Sequence, residues 1–351
     1  QTAPTMAVAL FSCATAWLVA SASALSDFAP LGEPSEWLQS SQGFRMAIRR
    51  WPVPAGGLVK AVLVLQHGGN WHSGYFGYPG KALSEAGFEV VAHDLPGYGY
   101  SEGPGDLCYY ERFSHIVDDV SLVLKTEKAK RPSTPVLLFG ESWGGLVSAE
   151  VAERKDPNLD GVICAGALFE LLATKLNPVL KHVVIPLLSM IAPRLSFSDP
   201  GMNATFDSAF GLPEWAAAAR DDPRIPGSNG MKHDVITFRP GYETLQAINR
   251  IPNAASLVEA PLLIIHSESD TRCGVNGARN FFRDASSKDK KLLLYPDASH
   301  QMFMDTDTNV NRLVRDLLQW LDERFAEASQ SASSDDRSDA STKAPLVAEE
   351  L

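Results

Sequence analysis

Gly140-Glu141-Ser142-Trp143-Gly144, followed at once by Gly145, sets a serine between glycines. The G-x-S-x-G spacing suits nucleophilic chemistry when a strand leads into it and a helix leaves it. A sharp turn then lifts the hydroxyl above a sheet, the glycines let neighbouring backbone pass close by, and the helix N-terminus favours developing negative charge. The pattern alone is weak, because a glycine-rich structural turn has the same composition. The apolar run Val136-Leu137-Leu138-Phe139 before it and the helix-forming Leu146-Val147-Ser148-Ala149-Glu150 after it favour the catalytic reading of Ser142.

A serine hydroxyl is a poor nucleophile until a base takes its proton. His300, in Asp297-Ala298-Ser299-His300 just after an apolar run at 292–295, is the candidate base. Asp270, in the loop after the run at 262–266, is the candidate acid that orients the ring and stabilises its charged form. Glu268 is the rival acid; Asp305 and Asp307 follow His300 and break the order serine, acid, histidine. His93 and His266 fall in or at the end of strand-like runs and read as packed residues, and His115, His182 and His233 lack a strand-end context. A tetrahedral intermediate also needs two donors for its oxyanion. The N–H of Trp143, after the nucleophile, and that of Gly69, in His67-Gly68-Gly69-Asn70 after an early strand, stand in the expected places. His67 itself reads as a brace for that loop. Gly97-Tyr98-Gly99 lacks the third glycine of a dinucleotide site at the right spacing, so it reads as a structural loop.

The elements that must position these groups alternate. Strand-like runs are expected at 44–53, 58–66, 89–93, 136–139, 161–165, 262–266 and 292–295, several almost continuous in Val, Leu and Ile as in strands buried on both faces. Helical spacing is expected at 79–86, 116–130, 145–154, 278–285 and 309–326. The alternation predicts an α/β, mostly parallel, doubly wound sheet, with Ser142, Asp270 and His300 at strand C-terminal ends. Between residues 169 and 251 no clear strand is expected. That insertion, apolar at first and then rich in Pro and Gly, reads as a helical cap. The expected organisation is therefore a leader at 1–24, a core at 43–168 and 252–326, a cap at 169–251, and a disordered acidic tail at 327–351.

Formal net charge is −11, which disfavours nucleic acid as a partner. The four cysteines, Cys13, Cys108, Cys164 and Cys273, form neither a disulfide framework nor a zinc spacing, so no metal and no cofactor are expected. The apolar run from Ala7 to Ala20, followed by Ala22-Ser23-Ala24, resembles a secretory signal and predicts the secretory pathway; the alternative is a cytoplasmic or membrane-associated protein.

Four blocks of residues resemble the monoacylglycerol lipase and lysophospholipase-like α/β-hydrolases, a group that includes plant caffeoylshikimate esterase-type proteins and serine aminopeptidases. They are His67 to Gly74, Ala92 to Gly103, Gly140 to Gly145, and Ser269 to Cys273 with Lys290 to His300. The resemblance implies an α/β-hydrolase fold with a helical cap, Ser142 as nucleophile, Asp270 as acid, His300 as base, and Gly69 and Trp143 as oxyanion donors. It also implies a small lipid-like ester as substrate. Cys273 matches a cysteine that animal members carry near the acid. Trp143 stands where the family usually has Met, and Asn70-Trp71 where animal lipases have Gly-Glu. The apolar cap residues Leu171, Leu172, Leu176, Val179, Leu180, Val183, Val184, Leu187 and Leu188 could line an acyl channel, touch a bilayer or pack on the core. A peptidase would need an acidic group for a free amino terminus, and a non-catalytic binding protein would typically lose a member of the triad.

Overall fold

The computed structural model describes residues 30–34, 36–105, 107–172, 178–198, 206–226 and 235–325. The expected leader and tail, and Leu176 of the cap, lie outside the described residues.

An eight-stranded sheet forms the centre, in the order β1-β2-β4-β3-β5-β6-β9-β10. Its strands are β1 Glu36–Gln39, β2 Arg45–Trp51, β3 Ala61–Gln66, β4 Phe88–His93, β5 Val136–Glu141, β6 Gly161–Ala165, β9 Leu262–Ser267 and β10 Lys290–Tyr295. β2 pairs antiparallel with both β1 and β4, and every other pairing is parallel. β1 extends the sheet to a point before residue 43, where the sequence shows no clear strand. β10 begins two residues earlier than its apolar run. Lys290 and Lys291 fit there because β10 is an edge strand, where charge discourages pairing with another chain.

Alternation along the strands builds a core on each face. Leu63, Leu65, Leu137, Phe139, Leu263 and Ile265 pack with one cluster, and Val62, Val64, Val136, Leu138, Leu262 and Ile264 with the other. All of these are fully buried, and each is worth roughly 1.5–3 kcal/mol. Helices α1 Gly77–Glu85 and α8 Asp307–Phe325 contribute Leu83, Leu313, Leu317 and Trp320 to the first cluster. Helices α2 Phe113–Lys130, α3 Trp143–Glu153 and α7 Val275–Asp284 contribute Val117, Leu146 and Phe281 to the second.

The cap carries α4 Ile185–Ile191, α5 Pro213–Asp221 and α6 Phe238–Ala254. It also carries a strand pair that the sequence does not announce, β7 Ser196–Ser198 with β8 Val235–Thr237, antiparallel. Each of these strands is three residues long, too short for a period-two pattern to stand out. Helix α6 runs on from the cap to the core, where Ala247 and Ile251 join the second cluster. Asp222, just after α5, is fastened to the core loop by His72 Nε2 at 2.7 Å and the Tyr75 hydroxyl at 3.0 Å, all of them buried.

Candidate active site

β5 ends at Glu141 and α3 begins at Trp143, so Ser142 alone makes the turn between them. Its φ is 56° and ψ −121°, a strained conformation for a residue with a side chain. The turn is held on both sides, as the Ser142 N–H donates to the Ala165 carbonyl at 2.8 Å and the Ser142 carbonyl accepts from Leu168 and Gly145. The glycines answer to close approach. A Cβ on Gly144 would run into the His67 and Gln66 carbonyls, and one on Gly145 would lie 2.6 Å from the Ala167 Cβ.

Asp270 follows β9, and His300 follows β10. The structure brings both to Ser142. His300 Nε2 lies 2.9 Å from Ser142 Oγ, and Nδ1 lies 2.7 Å from Asp270 Oδ2. With Nδ1–H donated to the carboxylate, Nε2 is left as the acceptor for the serine proton. Asp270 Oδ1 accepts the N–H groups of Arg272 and Cys273 at 2.7 and 2.9 Å. Burial works to raise the Asp270 carboxyl, but the His300 charge and these hydrogen bonds outweigh it and hold it below the usual carboxylate range. The rival Glu268 is exposed and paired with Arg279 at 2.6 Å. Asp305 caps the backbone of Ser299 and Thr306, and Asp307 opens α8.

The loop after β3 lies against Ser142: a Cβ on Gly68 would stand 3.4 Å from Ser142 Cβ, and one on Gly69 3.2 Å from Trp143 Cβ. Gly69, Ser142, Trp143 and His300 line one cavity, which is the placing an oxyanion hole needs. His67 braces this loop. Its Nδ1–H donates to the Gly68 carbonyl at 2.8 Å, and its Nε2 accepts the Leu95 N–H at 3.3 Å. Burial lowers its pKa to about 4, so the ring is neutral. Behind it, buried His93 lies 2.8 Å from the Gln66 amide oxygen, and the Gln66 amide donates to the His67 carbonyl at 2.8 Å. The loop containing Gly97 and Gly99 is structural: Asp94 accepts from the Ser73 and Tyr100 backbone at 2.7 and 2.9 Å.

Sequence reasoning misses several neighbours. His266 Nε2 lies 3.6 Å from Asp270 Oδ2 while bonding the Cys273 carbonyl at 3.0 Å. Glu141, the variable residue of the serine motif, is fully buried and accepts the Met302 N–H at 2.9 Å, anchoring the loop that carries His300. A glutamate at the end of a buried apolar run was the available signal for it. Cys273 is buried beside Ser142, and burial pushes its thiol well above the usual range. Cys108 and Cys164 are likewise buried free thiols. Ligand atoms of Asp270, Cys273 and His300 all lie within 4.8 Å of one another, but Asp270 and His300 are already joined by a hydrogen bond at 2.7 Å.

The cavity is open to solvent at its mouth and runs between the strand ends and the cap. Its wall is mostly aromatic and aliphatic, including Trp71, Phe206, Phe210, Ile225, Ile236 and Ile248. Among the described residues that line it, Arg272 is the one lysine or arginine, and there is no Asp or Glu. The apolar run at the start of the cap contributes less to this wall than its composition suggests. Leu171 and Ile185 line the cavity, whereas Leu172, Val179, Val183 and Leu187 are exposed.

The profile of the family described as serine aminopeptidase, S33, matches residues 57–307. The chain belongs to this family. It is similar to the monoglyceride lipase of Rattus norvegicus, 26% identical over 293 residues, covering 83% of this chain and 91% of that protein. It is also similar to the caffeoylshikimate esterase of Arabidopsis thaliana, 24% identical, covering 83% of this chain and 90% of that protein. The solved structure of a soluble variant of monoglyceride lipase from Saccharomyces cerevisiae superposes with a TM-score of 0.71 at 23% identity, covering 84% of this chain and 96% of that one. The fold is that of the α/β-hydrolases.

Proposed function

We propose that this carboxylic ester hydrolase cleaves monoacylglycerols or lysophospholipids through an acyl-enzyme on Ser142. The observation that carries this reading is the hydrogen-bonded row Asp270–His300–Ser142 opening into an apolar cavity. His300 Nε2 takes the serine proton as Oγ attacks the ester carbonyl, and the N–H groups of Gly69 and Trp143 receive the oxyanion. Collapse expels the alcohol, which leaves with the proton from His300. Water, deprotonated by the same ring, then releases the fatty acid and restores Ser142.

Similarity to the rat and yeast monoglyceride lipases supports the lipid part, and so does the wall chemistry. Each acyl methylene buried against it is worth about 0.8 kcal/mol, so long chains gain most. A peptidase holding a free ammonium is disfavoured by the absence of any carboxylate other than that of the triad around the described cavity. The outer side of the cap suits a lipid surface. Val179, Val183, Leu187, Met190, Ile191 and Leu195 are each at least half exposed along one short stretch of sequence, and apolar side chains exposed in such number suit a contact face. The test is hydrolysis of long-chain monoacylglycerol, lysophosphatidylcholine, a short soluble ester and an aminoacyl amide by the purified protein. A preference for the long-chain esters supports the reading, and a preference for the amide overturns it.

A further inference from the structure

The indole of Trp143 reaches away from the oxyanion hole and into the cap. Its Nε1–H donates to Thr244 Oγ1 of α6 at 3.1 Å. The Tyr110 hydroxyl lies 2.7 Å from the same Oγ1 and 3.1 Å from the Pro240 carbonyl. The direction of each bond follows from donor chemistry. An indole N–H only donates and a carbonyl only accepts. Tyr110 therefore spends its single proton on Pro240, and Thr244 donates its own to Tyr110. The chain runs Trp143 to Thr244 to Tyr110 to Pro240.

The ring has little freedom to turn. Tyr98 stacks on it at 5.9 Å, Phe113 meets it edge-on at 5.7 Å, Tyr110 lies at 5.8 Å, and it is buried. At its base, the Trp143 Cβ sits where a Cβ on Gly69 would stand at 3.2 Å, so the residue is seated against the other oxyanion donor. A rotation of this side chain would disturb the backbone on both sides of the hole. Methionine, the residue the family usually carries here, has no N–H to give to Thr244, so the connection is a property of this chain.

We propose that Thr244 is a positioning residue for the oxyanion hole, holding the Trp143 N–H in place through the indole and thereby making full activity depend on the seating of the cap helix. The proposal rests on the reading of Ser142 and Trp143 given above. Thr244 lines the same cavity, but its hydroxyl bonds the Trp143 indole and the Tyr110 hydroxyl, not Ser142 or His300.

Thr244→Val keeps the side-chain shape and removes the hydroxyl; Thr244→Ser keeps the hydroxyl. Glu243→Ala serves as a structural control. Its carboxylate accepts the Phe113 N–H at 3.0 Å, so its loss loosens the same turn of α6 and reaches the indole only through the Phe113 ring, leaving the Trp143–Thr244 hydrogen bond intact. Steady-state kinetics on a short soluble ester and on a long-chain monoacylglycerol, with thermal unfolding of each variant, test the idea. Thr244→Val should lower kcat about tenfold on both substrates with KM nearly unchanged. That is less than the roughly 10²- to 10³-fold cost of deleting an oxyanion donor, because the N–H is displaced and not removed. Thr244→Ser should recover most of the loss, and Glu243→Ala should lose thermal stability while keeping kcat. Wild-type kcat in Thr244→Val on the short ester would overturn the proposal. So would a loss confined to the long-chain substrate, which makes Thr244 part of the acyl wall only, or an equal loss in Glu243→Ala. Failure of the wild-type protein to hydrolyse either ester would instead bring down the functional reading, and this inference with it.

Discussion

On the sheet side of the cleft, Ser142, Asp270 and His300 each stand within a few residues of the C-terminal end of a fully or partly buried strand. On the cap side, the wall is gathered from α4, α6, β8 and the loops between them, and its residues share no common position within their elements. The sheet side is stiff because each strand is hydrogen-bonded to a neighbour on both sides, the edge strands β1 and β10 excepted. The cap is held to the core by packing without strand pairing, Phe206, Phe210 and Trp215 joining the first cluster and Ala247 and Ile251 the second, and by side-chain fastenings such as His72 to Asp222 and Trp143 to Thr244. Chemistry that fails with a displacement of about an ångström belongs on the first kind of support. A surface that has only to be apolar and roomy tolerates the second.

The largest effects should therefore come from the sheet side. Ser142→Ala is expected to reduce ester turnover by about 10⁴- to 10⁶-fold with the fold intact. His300→Ala and Asp270→Asn should each be severe, and adding either to Ser142→Ala should cost almost nothing further, because the three act as a unit. Turnover and circular dichroism of the single and double variants measure this. Near-wild-type turnover in Ser142→Ala would remove the basis of the comparison, and a Glu268→Gln variant far worse than Asp270→Asn would mean that the acid is misassigned.

On the cap side the expected effects are smaller and depend on substrate. Ile185 and Leu187 lie two residues apart on α4, the first fully buried at the cavity and the second 52% exposed. Ile185→Asn should lower kcat/KM on a long-chain monoacylglycerol by about 30- to 100-fold, as expected if contact with a few methylenes is lost. It should have little effect on a short soluble ester. Leu187→Asn should match wild type on the short ester and weaken binding to phospholipid vesicles, read by co-sedimentation. A common drop on both substrates for Ile185→Asn would signal a general loss of packing, and wild-type vesicle binding by Leu187→Asn would remove the outer face of α4 from the lipid reading.

The same contrast explains what the sequence reveals. Ser142, Asp270 and His300 can be read because a buried parallel strand is a run of apolar residues, and the chemistry starts where the run stops. The cap can be read as apolar but not as directional. The turn Leu180–Val184 is a π-helix, which shifts the facing of every residue after it relative to regular α-helical spacing. Within α4, Ile185 and Leu187 are two residues apart and so face nearly opposite sides, inward and outward, a distinction that counting leucines cannot make. Asp222 and Thr244 leave no local signal at all, since their partners His72 and Trp143 are about a hundred or more residues away in sequence.

Glu141 belongs to the sheet side but contributes through charge, and it gives the most specific expectation. Burial is the main cause that raises its carboxyl to about 7, with the Asp270 charge adding to it and His300 and the backbone N–H groups of Phe303 and Met302 opposing. A group whose pKa is higher in the folded than in the unfolded chain stabilises the fold fully below its unfolded pKa, near 4.5 for a glutamate, and loses that contribution as pH rises through its folded value. Wild-type stability should therefore decline between about pH 5 and 8, by at most roughly 3 kcal/mol from this residue. Glu141→Gln stays neutral and retains an oxygen to accept the Met302 N–H, so its pH–stability curve should be flatter, and the two curves should separate progressively above about pH 5 in favour of the variant. Thermal unfolding of both proteins across that range measures the difference. Parallel curves would mean that Glu141 does not change its charge there, and the loop carrying His300 would then rest on the Met302 hydrogen bond without any electrostatic dependence on pH.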